Sequence, residues 1–381
     1  MKTALVLSGG GARAAYQVGA LKAISELVGP GRINPFPIIC GTSAGAINAA
    51  MLATHADCFQ TGVAQLEKLW GNLHSSRIHR VGYSELIRST LMLIASFFRS
   101  GRPYGRPLSL FDNTPLYHLL MENIHFHGLP DLISKGHLHA LCITAMGYQR
   151  GQSINFFQGN DAIANWERVR RIGLRSELTH KHLMASSALP AIFPPVRIGS
   201  EYFGDGAIRQ TAPMSAALHL GADKLLVIGV SGNRATRTVP SPGHATHSPS
   251  LAQILAQLLN SAFIDSVEED IDMMQRFNRF IDEVDGDRHE VLGMRPVDVR
   301  VIVPSIHFDE VAAHHIQDLP QSLRVFLRTI GATRSGGGAS LASYLLFESG
   351  YCQTLMGHGY RDCMEQADTV REFVASCPIE N

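Results

Sequence analysis

The sequence predicts an α/β protein in which helices cover both faces of a mostly parallel sheet. Thr3 to Ser8 is an apolar run that stops at three glycines, as expected for a buried parallel strand that ends in a tight turn. A helical pattern follows, and Pro37 to Ala53 repeats the order of strand, loop and helix. Strand-like runs continue to alternate with helical stretches further along the chain, which is typical of parallel strands joined by crossover helices.

The individual elements follow from local patterns. The first helix has apolar residues at three-residue spacing and ends at a Gly-Pro pair; these residues are Val18, Leu21, Ile24 and Leu27. The second strand, Pro37 to Cys40, leads through a glycine-containing loop into a helix of small residues, Ala46 to Ala53. Later strands are predicted at Leu138 to Ala145, Leu225 to Val230 and Val297 to Val303. Helices are predicted at Asn113 to Asn123 and Ala212 to Leu220.

Two segments rich in small and polar residues interrupt this alternation. We expect residues 231–250 to be a flexible connection between an N-terminal α/β domain and the rest of the chain. Residues 331–340 are a second, glycine-rich interruption. We expect residues 251–381 to be a mainly helical C-terminal region with one strand at 297–303.

Charge and composition exclude several function classes. The 33 Lys and Arg residues balance the 33 Asp and Glu residues, so we expect no nucleic-acid partner. The six cysteines contain no CxxC pair and the 18 histidines form only local doublets, which disfavours a metal site. The apolar run after Lys2 is too short for a signal peptide, and no stretch approaches the roughly 18 apolar residues of a membrane span. We therefore expect a cytoplasmic protein.

The loop of Gly9, Gly10 and Gly11 is suited to an anion. Glycines allow positive φ and close approach, and the start of the following helix presents free N–H groups. A dinucleotide site is disfavoured because Ala14 stands where the Rossmann fingerprint has glycine and no acid follows the second strand. The Lys-Ser/Thr pair of a P-loop is also missing.

Residues 41–45 match the GxSxG pattern of a nucleophile elbow. Gly41 and Gly45 relieve crowding at a sharp strand-to-helix turn, which leaves the Ser43 hydroxyl exposed. On its own, this motif could equally be a structural turn. The catalytic interpretation is favoured because the preceding strand in the sequence ends in the glycine loop that is suited to an anion. This context predicts that Ser43 is a nucleophile and that the first loop supplies its oxyanion donors. If Ser43 belongs to a triad with a histidine, His307 is the candidate to test. A surface or packing role for His307 is the simpler interpretation.

Asp205 and Gly206 allow two interpretations. They follow Tyr202-Phe203-Gly204, and from these residues alone a hairpin turn is favoured. The alternative is a carboxylate that serves Ser43.

The glycine loop, the elbow and Asp205-Gly206-Ala207 together resemble the patatin-like phospholipase family, including its bacterial members. The resemblance covers residues 4–215, and it extends to Ser186 to Pro190, which look like the family's segment ahead of the catalytic aspartate. It implies a three-layer α/β/α fold for this catalytic domain and a serine–aspartate dyad without histidine. The chain departs from the family at Ala14, where glycine is usual.

The resemblance also implies residue roles. Ser43 falls on the nucleophile and Asp205 on the proton acceptor. The positions that match the family's oxyanion hole are Gly9, Gly10, Gly11 and Arg13. A carboxylate within about 3 Å of the serine takes its proton directly, and the acyl-enzyme is then hydrolysed by water. No cofactor and no metal are implied.

We expect hydrolysis of carboxylic esters in phospholipids or other lipids. Acyl transfer from the same acyl-serine and a non-enzymatic lipid-binding role stay open. Acyl-carrier transacylases with a related fold have histidine beside the elbow serine, where this chain has Thr42.

Residues 85–106 are the predicted contact with a membrane surface. Apolar residues between Leu91 and Phe98 are flanked by arginines, a basic amphipathic pattern that suits an anionic lipid surface. An ordinary helix packed on the core is an equal alternative. A peripheral position on the inner membrane surface and a homo-oligomer both stay open.

Overall fold

The computed structural model describes residues 1–80, 82, 87, 88, 90–92, 109–230, 250–282, 295–331 and 338–375. Most of the predicted membrane contact at 85–106 lies outside these residues, as does the predicted connection at 231–250 apart from Ser250.

Ten strands of the described residues form one mixed sheet. They are β1 (Thr3–Leu7), β2 (Ile38–Thr42), β3 (Ala140–Gly147), β4 (Gln152–Gly159), β5 (Trp166–Arg168), β6 (Arg171–Arg175), β7 (Val196–Ile198), β8 (Glu201–Asp205), β9 (Lys224–Ile228) and β10 (Asp298–Ile302). The order is β10-β9-β1-β2-β3-β4-β6-β5, with β8 paired to β3 and β7 paired to β8. The five strands from β10 to β3 are parallel.

Helices lie on both faces of this sheet. The α-helices of the described residues are α1 (Ala15–Val28), α2 (Ala44–Ala53), α3 (Phe59–Gly71), α4 (Ser75–Ile78), α5 (Thr114–Asn123), α6 (Leu129–Ser134), α7 (His180–Ser186), α8 (Ser215–His219), α9 (Leu251–Asn260), α10 (Ser266–Asp282), α11 (Phe308–His315), α12 (Gln321–Thr329), α13 (Gly338–Leu345), α14 (Ser349–Met364) and α15 (Ala367–Ala375). A π-helical turn, Ser261–Asp265, joins α9 to α10.

The core consists of two layers separated by the sheet. Because side chains alternate along a strand, Leu5 and Leu7 of β1 enter one layer and Ala4 and Val6 enter the other. α1, α2 and α3 cover the first layer, and α8 covers the second. The α/β/α arrangement with a mostly parallel centre is thus confirmed.

The C-terminal residues continue the same sheet and core. β10 pairs with β9, and α14 packs along α1. The two helices approach closely, since a Cβ at Gly359 would collide with the backbone carbonyl of Tyr16. The phenol of Tyr16 also donates to the Asp362 carboxylate at 2.8 Å.

The mixed half of the sheet, in which β4 and β6 are parallel and the other pairs are antiparallel, was absent from the sequence prediction. β4 to β8 are short or mix polar residues and glycine with apolar ones, so neither a continuous apolar run nor a clean alternation marks them. The predicted parallel strands all appear, within a few residues of their predicted ends. No helix in the described ranges is long and apolar enough to cross a membrane.

Candidate active site

Ser43 occupies a sharp turn between β2 and α2. Its φ of 55° is uncommon for a residue with a side chain, and it is the N-cap of α2. The turn is held on both sides, because the Ser43 N–H donates to Ser186 Oγ at 2.8 Å and its carbonyl accepts from Ala46 N at 2.9 Å. Only 4% of Ser43 is exposed.

The elbow lies against the glycine loop because β1 and β2 are parallel neighbours. Gly41 ends the pairing with β1 opposite Leu7, and Gly45 is the second residue of α2, directly behind the loop. A Cβ at Gly45 would lie 2.5 Å from the carbonyl oxygen of Ser8, so no larger residue fits without displacing the loop. The two predicted glycine motifs are therefore in contact.

The register of β3 brings Asp205 to the elbow. β2 pairs with one edge of β3 as far as Thr42 opposite Thr144, and β8 takes over with Asp205 opposite Ala145. The C-terminal ends of β2 and β8 therefore meet along the same edge of β3. Asp205 begins a 3₁₀ turn, Gly206–Ile208, and the hairpin interpretation is wrong.

Ser43 and Asp205 share a direct hydrogen bond. Ser43 Oγ donates to Asp205 Oδ2 at 2.6 Å, and Ala207 N–H donates to Oδ1 at 3.0 Å. Asp205 is fully buried. Burial raises its pKa to about 7, although the hydrogen bonds from Ser43 and Ala207 act in the opposite direction.

The glycine loop presents backbone donors next to Ser43. A Cβ at Gly9 would lie 3.0 Å from Ser43 Cβ, and Gly11 begins a 3₁₀ turn with a φ of 56°. Within the described part of the chain, the N–H groups of Gly10 and Gly11 enter no backbone hydrogen bond, whereas Arg13 N–H donates to the Gly10 carbonyl at 3.2 Å.

The side chain of Arg13, which the resemblance places with the oxyanion-hole residues, has its hydrogen-bond partners in the C-terminal region. It is buried and points to the C-terminal region, where Nε donates to Ser343 Oγ at 2.8 Å and Nη1 donates to the Tyr344 hydroxyl at 2.9 Å. The guanidinium carbon also lies 3.8 Å from the centre of the Tyr344 ring. The carbonyl of Tyr344 in turn lies against Gly11. Arg13 therefore fastens the glycine loop to α13.

Further polar residues support the elbow and were not singled out from the sequence. Ser186 Oγ, which accepts from Ser43 N–H, donates to the Thr144 carbonyl at 2.6 Å. Thr42 Oγ1 donates to Gln210 Oε1 at 2.8 Å. The resemblance of residues 186–190 to a family segment was the only sequence signal for Ser186.

His307, the candidate for a triad, is exposed at the start of α11 after the edge strand β10. β9 and β1 lie between that strand and β2. The hydrogen-bond partner of Ser43 Oγ is Asp205.

An apolar cavity opens beside Ser43. Its walls come from both the N-terminal and C-terminal parts of the chain: Gly11, Ser43, Ala44, Ile47, Leu69, Trp70, Leu73, Ile78, Leu116, Leu119, Leu120, Ser187, Leu189, Phe193, Tyr344, Leu345 and Phe347. The apolar lining suits a hydrocarbon chain.

Comparisons with known proteins were made on sequence and on structure. No curated protein sequence matches the chain significantly. VipD from Legionella pneumophila aligns with a TM-score of 0.33 and 12% identity over 97% of this chain and 67% of VipD. Human GIVD cytosolic phospholipase A2, solved with methyl gamma-linolenyl fluorophosphonate, aligns with a TM-score of 0.44 and 10% identity over 99% of this chain; the alignment spans 58% of the human chain.

Residues 5–218 match the sequence profile of the patatin-like phospholipases. The match contains the glycine loop, the elbow and Asp205 in one segment. Since this segment is more than half of the chain, the protein belongs to the patatin-like phospholipase family.

Proposed function

We propose that the protein hydrolyses carboxylic esters of lipids through a Ser43–Asp205 dyad and an acyl-serine intermediate. Membership of the family supports a lipid hydrolase activity. The observation that carries the finer proposal is the 2.6 Å hydrogen bond that Ser43 Oγ, at the wall of an apolar cavity, donates to the fully buried carboxylate of Asp205.

In the first half-reaction, Asp205 Oδ2 takes the proton of Ser43 as the serine oxygen attacks the ester carbonyl carbon. The negative charge moves to the carbonyl oxygen, and the unused N–H groups of Gly10 and Gly11 in the adjacent loop are the donors we assign to it. Collapse of this intermediate breaks the ester bond, and the proton on Asp205 passes to the leaving alcohol oxygen. The acyl group stays on Ser43.

In the second half-reaction, Asp205 accepts a proton from water that attacks the acyl-serine. The tetrahedral intermediate again places its charge on the same carbonyl oxygen, and Ser43 recovers its proton as the fatty acid leaves. Ala207 N–H holds Oδ1 throughout, so Oδ2 stays directed at the reacting oxygen.

The cavity indicates which half of the substrate is recognised here. Apolar side chains dominate its walls, and each buried methylene contributes about 0.8 kcal/mol. We infer that the acyl chain occupies the cavity and that the alcohol part of the ester lies outside it.

Release of fatty acid from phospholipid and monoacylglycerol substrates tests this function. We expect release by the native chain and by Ser134→Ala, a control that changes an exposed serine at the end of α6. Ser43→Ala is expected to release none. Undiminished release by Ser43→Ala would overturn the proposal. Glycerol added as a competing acceptor reports transfer, since it would then yield a new ester in place of the acid.

A further inference from the structure

Ser187 carries a buried hydroxyl that the dyad does not use. It borders the cavity together with Ser43 and is 8% exposed. In the part of the chain that the structure describes, its Oγ has no hydrogen-bond partner. An unpaired buried hydroxyl typically costs about 1 to 3 kcal/mol, so its presence beside the nucleophile calls for a partner.

Both neighbours of Ser187 are tied to the dyad. Ser186 Oγ accepts from the N–H of Ser43, and the carbonyl of Ala188 accepts from the N–H of Asp205 at 2.8 Å. The backbone groups of Ser187 itself are satisfied, because its N–H donates to Leu183 and its carbonyl accepts from Leu189, both at 3.0 Å. Its hydroxyl is therefore an unpaired donor on the cavity wall that Ser43 also lines, and its backbone is held between two residues bonded to the dyad.

The polar side chains of the aromatic residues on the cavity wall are already engaged. The hydroxyl of Tyr344 donates to Asn260 Oδ1 at 2.8 Å, and Trp70 Nε1–H donates to Asn48 Oδ1 at 2.8 Å. Ser187 differs from them because rotation about its single side-chain torsion redirects the O–H without breaking a hydrogen bond in the protein.

We propose that the Ser187 hydroxyl donates a hydrogen bond to the leaving oxygen of the ester, and this role rests on the proposed function. When the tetrahedral intermediate collapses, the bond from carbon to the leaving oxygen breaks and the electron pair of the oxyanion re-forms the carbonyl. The proton held by Asp205 moves to the leaving oxygen. Ser187 keeps its own proton and stabilises the negative charge that develops on that oxygen before the transfer is complete.

This role predicts a dependence on the leaving group. An alkoxide that leaves from a glyceryl ester carries much charge and needs the donor, whereas a p-nitrophenolate delocalises its charge and needs it less. A purely structural role for Ser187 would affect both esters alike.

The test compares two esters with the same acyl chain, a p-nitrophenyl ester and a monoacylglycerol, as substrates of Ser187→Ala. We expect kcat/KM to fall at least tenfold for the monoacylglycerol and less than threefold for the p-nitrophenyl ester. Tm should stay equal or rise, because an unpaired hydroxyl is removed. Ser186→Ala is the matched control; it should lower both rates together, since Ser186 positions the Ser43 backbone.

Equal losses on the two esters, or no loss on either, would overturn the role of Ser187 while leaving the dyad standing. A native chain that hydrolyses neither ester would overturn the proposed function itself, and the Ser187 proposal with it.

Discussion

At the scale of single residues, Asp205 combines complete burial with the proposed role of proton acceptor, which requires negative charge. Its two hydrogen bonds, from Ser43 and Ala207, only partly compensate for the loss of water. The resulting pKa of about 7 places its ionisation within the ordinary working range of a base.

We therefore expect activity to rise with pH. The base must be ionised in the free enzyme, so kcat/KM for a soluble short-chain ester should fall about tenfold per pH unit on the acid side, with an apparent pKa near 7. A pH–rate profile from pH 5 to 9 measures this. A midpoint near 4, the usual value for aspartate, would contradict a desolvated base.

The same burial makes Asp205 a cost to stability at alkaline pH. Its folded pKa exceeds its unfolded value, so the folded state binds more protons between about pH 4 and 7, and the free energy of unfolding falls as pH rises through that window. Asp205→Asn removes the titrating group and with it this pH-dependent contribution to the free energy of unfolding. We expect the free energy of unfolding of the variant, relative to the native chain, to increase by on the order of 2 kcal/mol between pH 5 and pH 8. Urea unfolding at the two pH values measures it, and an unchanged difference would contradict the raised pKa.

At the scale of elements, the glycine loop and the cavity beside Ser43 depend on helices from the C-terminal region. α13 contributes Tyr344 and Leu345 to the cavity and receives the Arg13 side chain. The ring of Phe263, in the π-helical turn before α10, lies directly over Gly9. The segment that matches the family ends at residue 218, before Phe263, Tyr344 and Leu345.

Arg13→Met should uncouple the glycine loop from α13. The variant keeps an unbranched side chain but loses the hydrogen bonds to Ser343 and Tyr344, so the loop donors are no longer fixed against α13. We expect a lower Tm and a loss of kcat of at least tenfold. Arg371→Met, which breaks an exposed ion pair on α15, is the control and should match the native chain. Native kcat in Arg13→Met would contradict the coupling.

The helix α5 is expected to limit acyl length. Leu119 lines the cavity, so Leu119→Trp should shorten the space available to the chain. Exclusion of two methylenes costs roughly 1.6 kcal/mol, so the ratio of kcat/KM for a 16-carbon ester to that for a 4-carbon ester should fall tenfold or more. Met121→Trp changes an exposed residue of the same helix and should leave the ratio unchanged. An unaltered ratio in Leu119→Trp would place the acyl chain elsewhere.

At the scale of the whole molecule, the parts that the sequence predicts are those encoded locally. An apolar run that ends in glycine marks β1 and β2, and the elbow motif marks Ser43, because each pattern spans only a few neighbouring residues. Asp205 was identified through a family resemblance. Its approach to Ser43 depends on where β2 ends and β8 begins along β3, a register that no local pattern records.

The contact between the glycine loop and α13 was not predicted either, because no local sequence pattern records it. Arg13 contacts Ser343 and Tyr344, 330 and 331 residues further along the chain, and no charge partner or spacing in the sequence signals that contact. The basic pattern at 85–106 lies mostly outside the described residues, so its expected contact with a lipid surface stays a prediction.

The most direct test of the dyad is the intact mass of the protein after reaction with an alkyl fluorophosphonate, followed by peptide mapping. We expect one adduct, on Ser43, formed at a rate that Asp205→Asn lowers at least a hundredfold, and no adduct in Ser43→Ala. An adduct on any other residue, or undiminished labelling of Ser43→Ala, would contradict the assignment of Ser43 as the nucleophile.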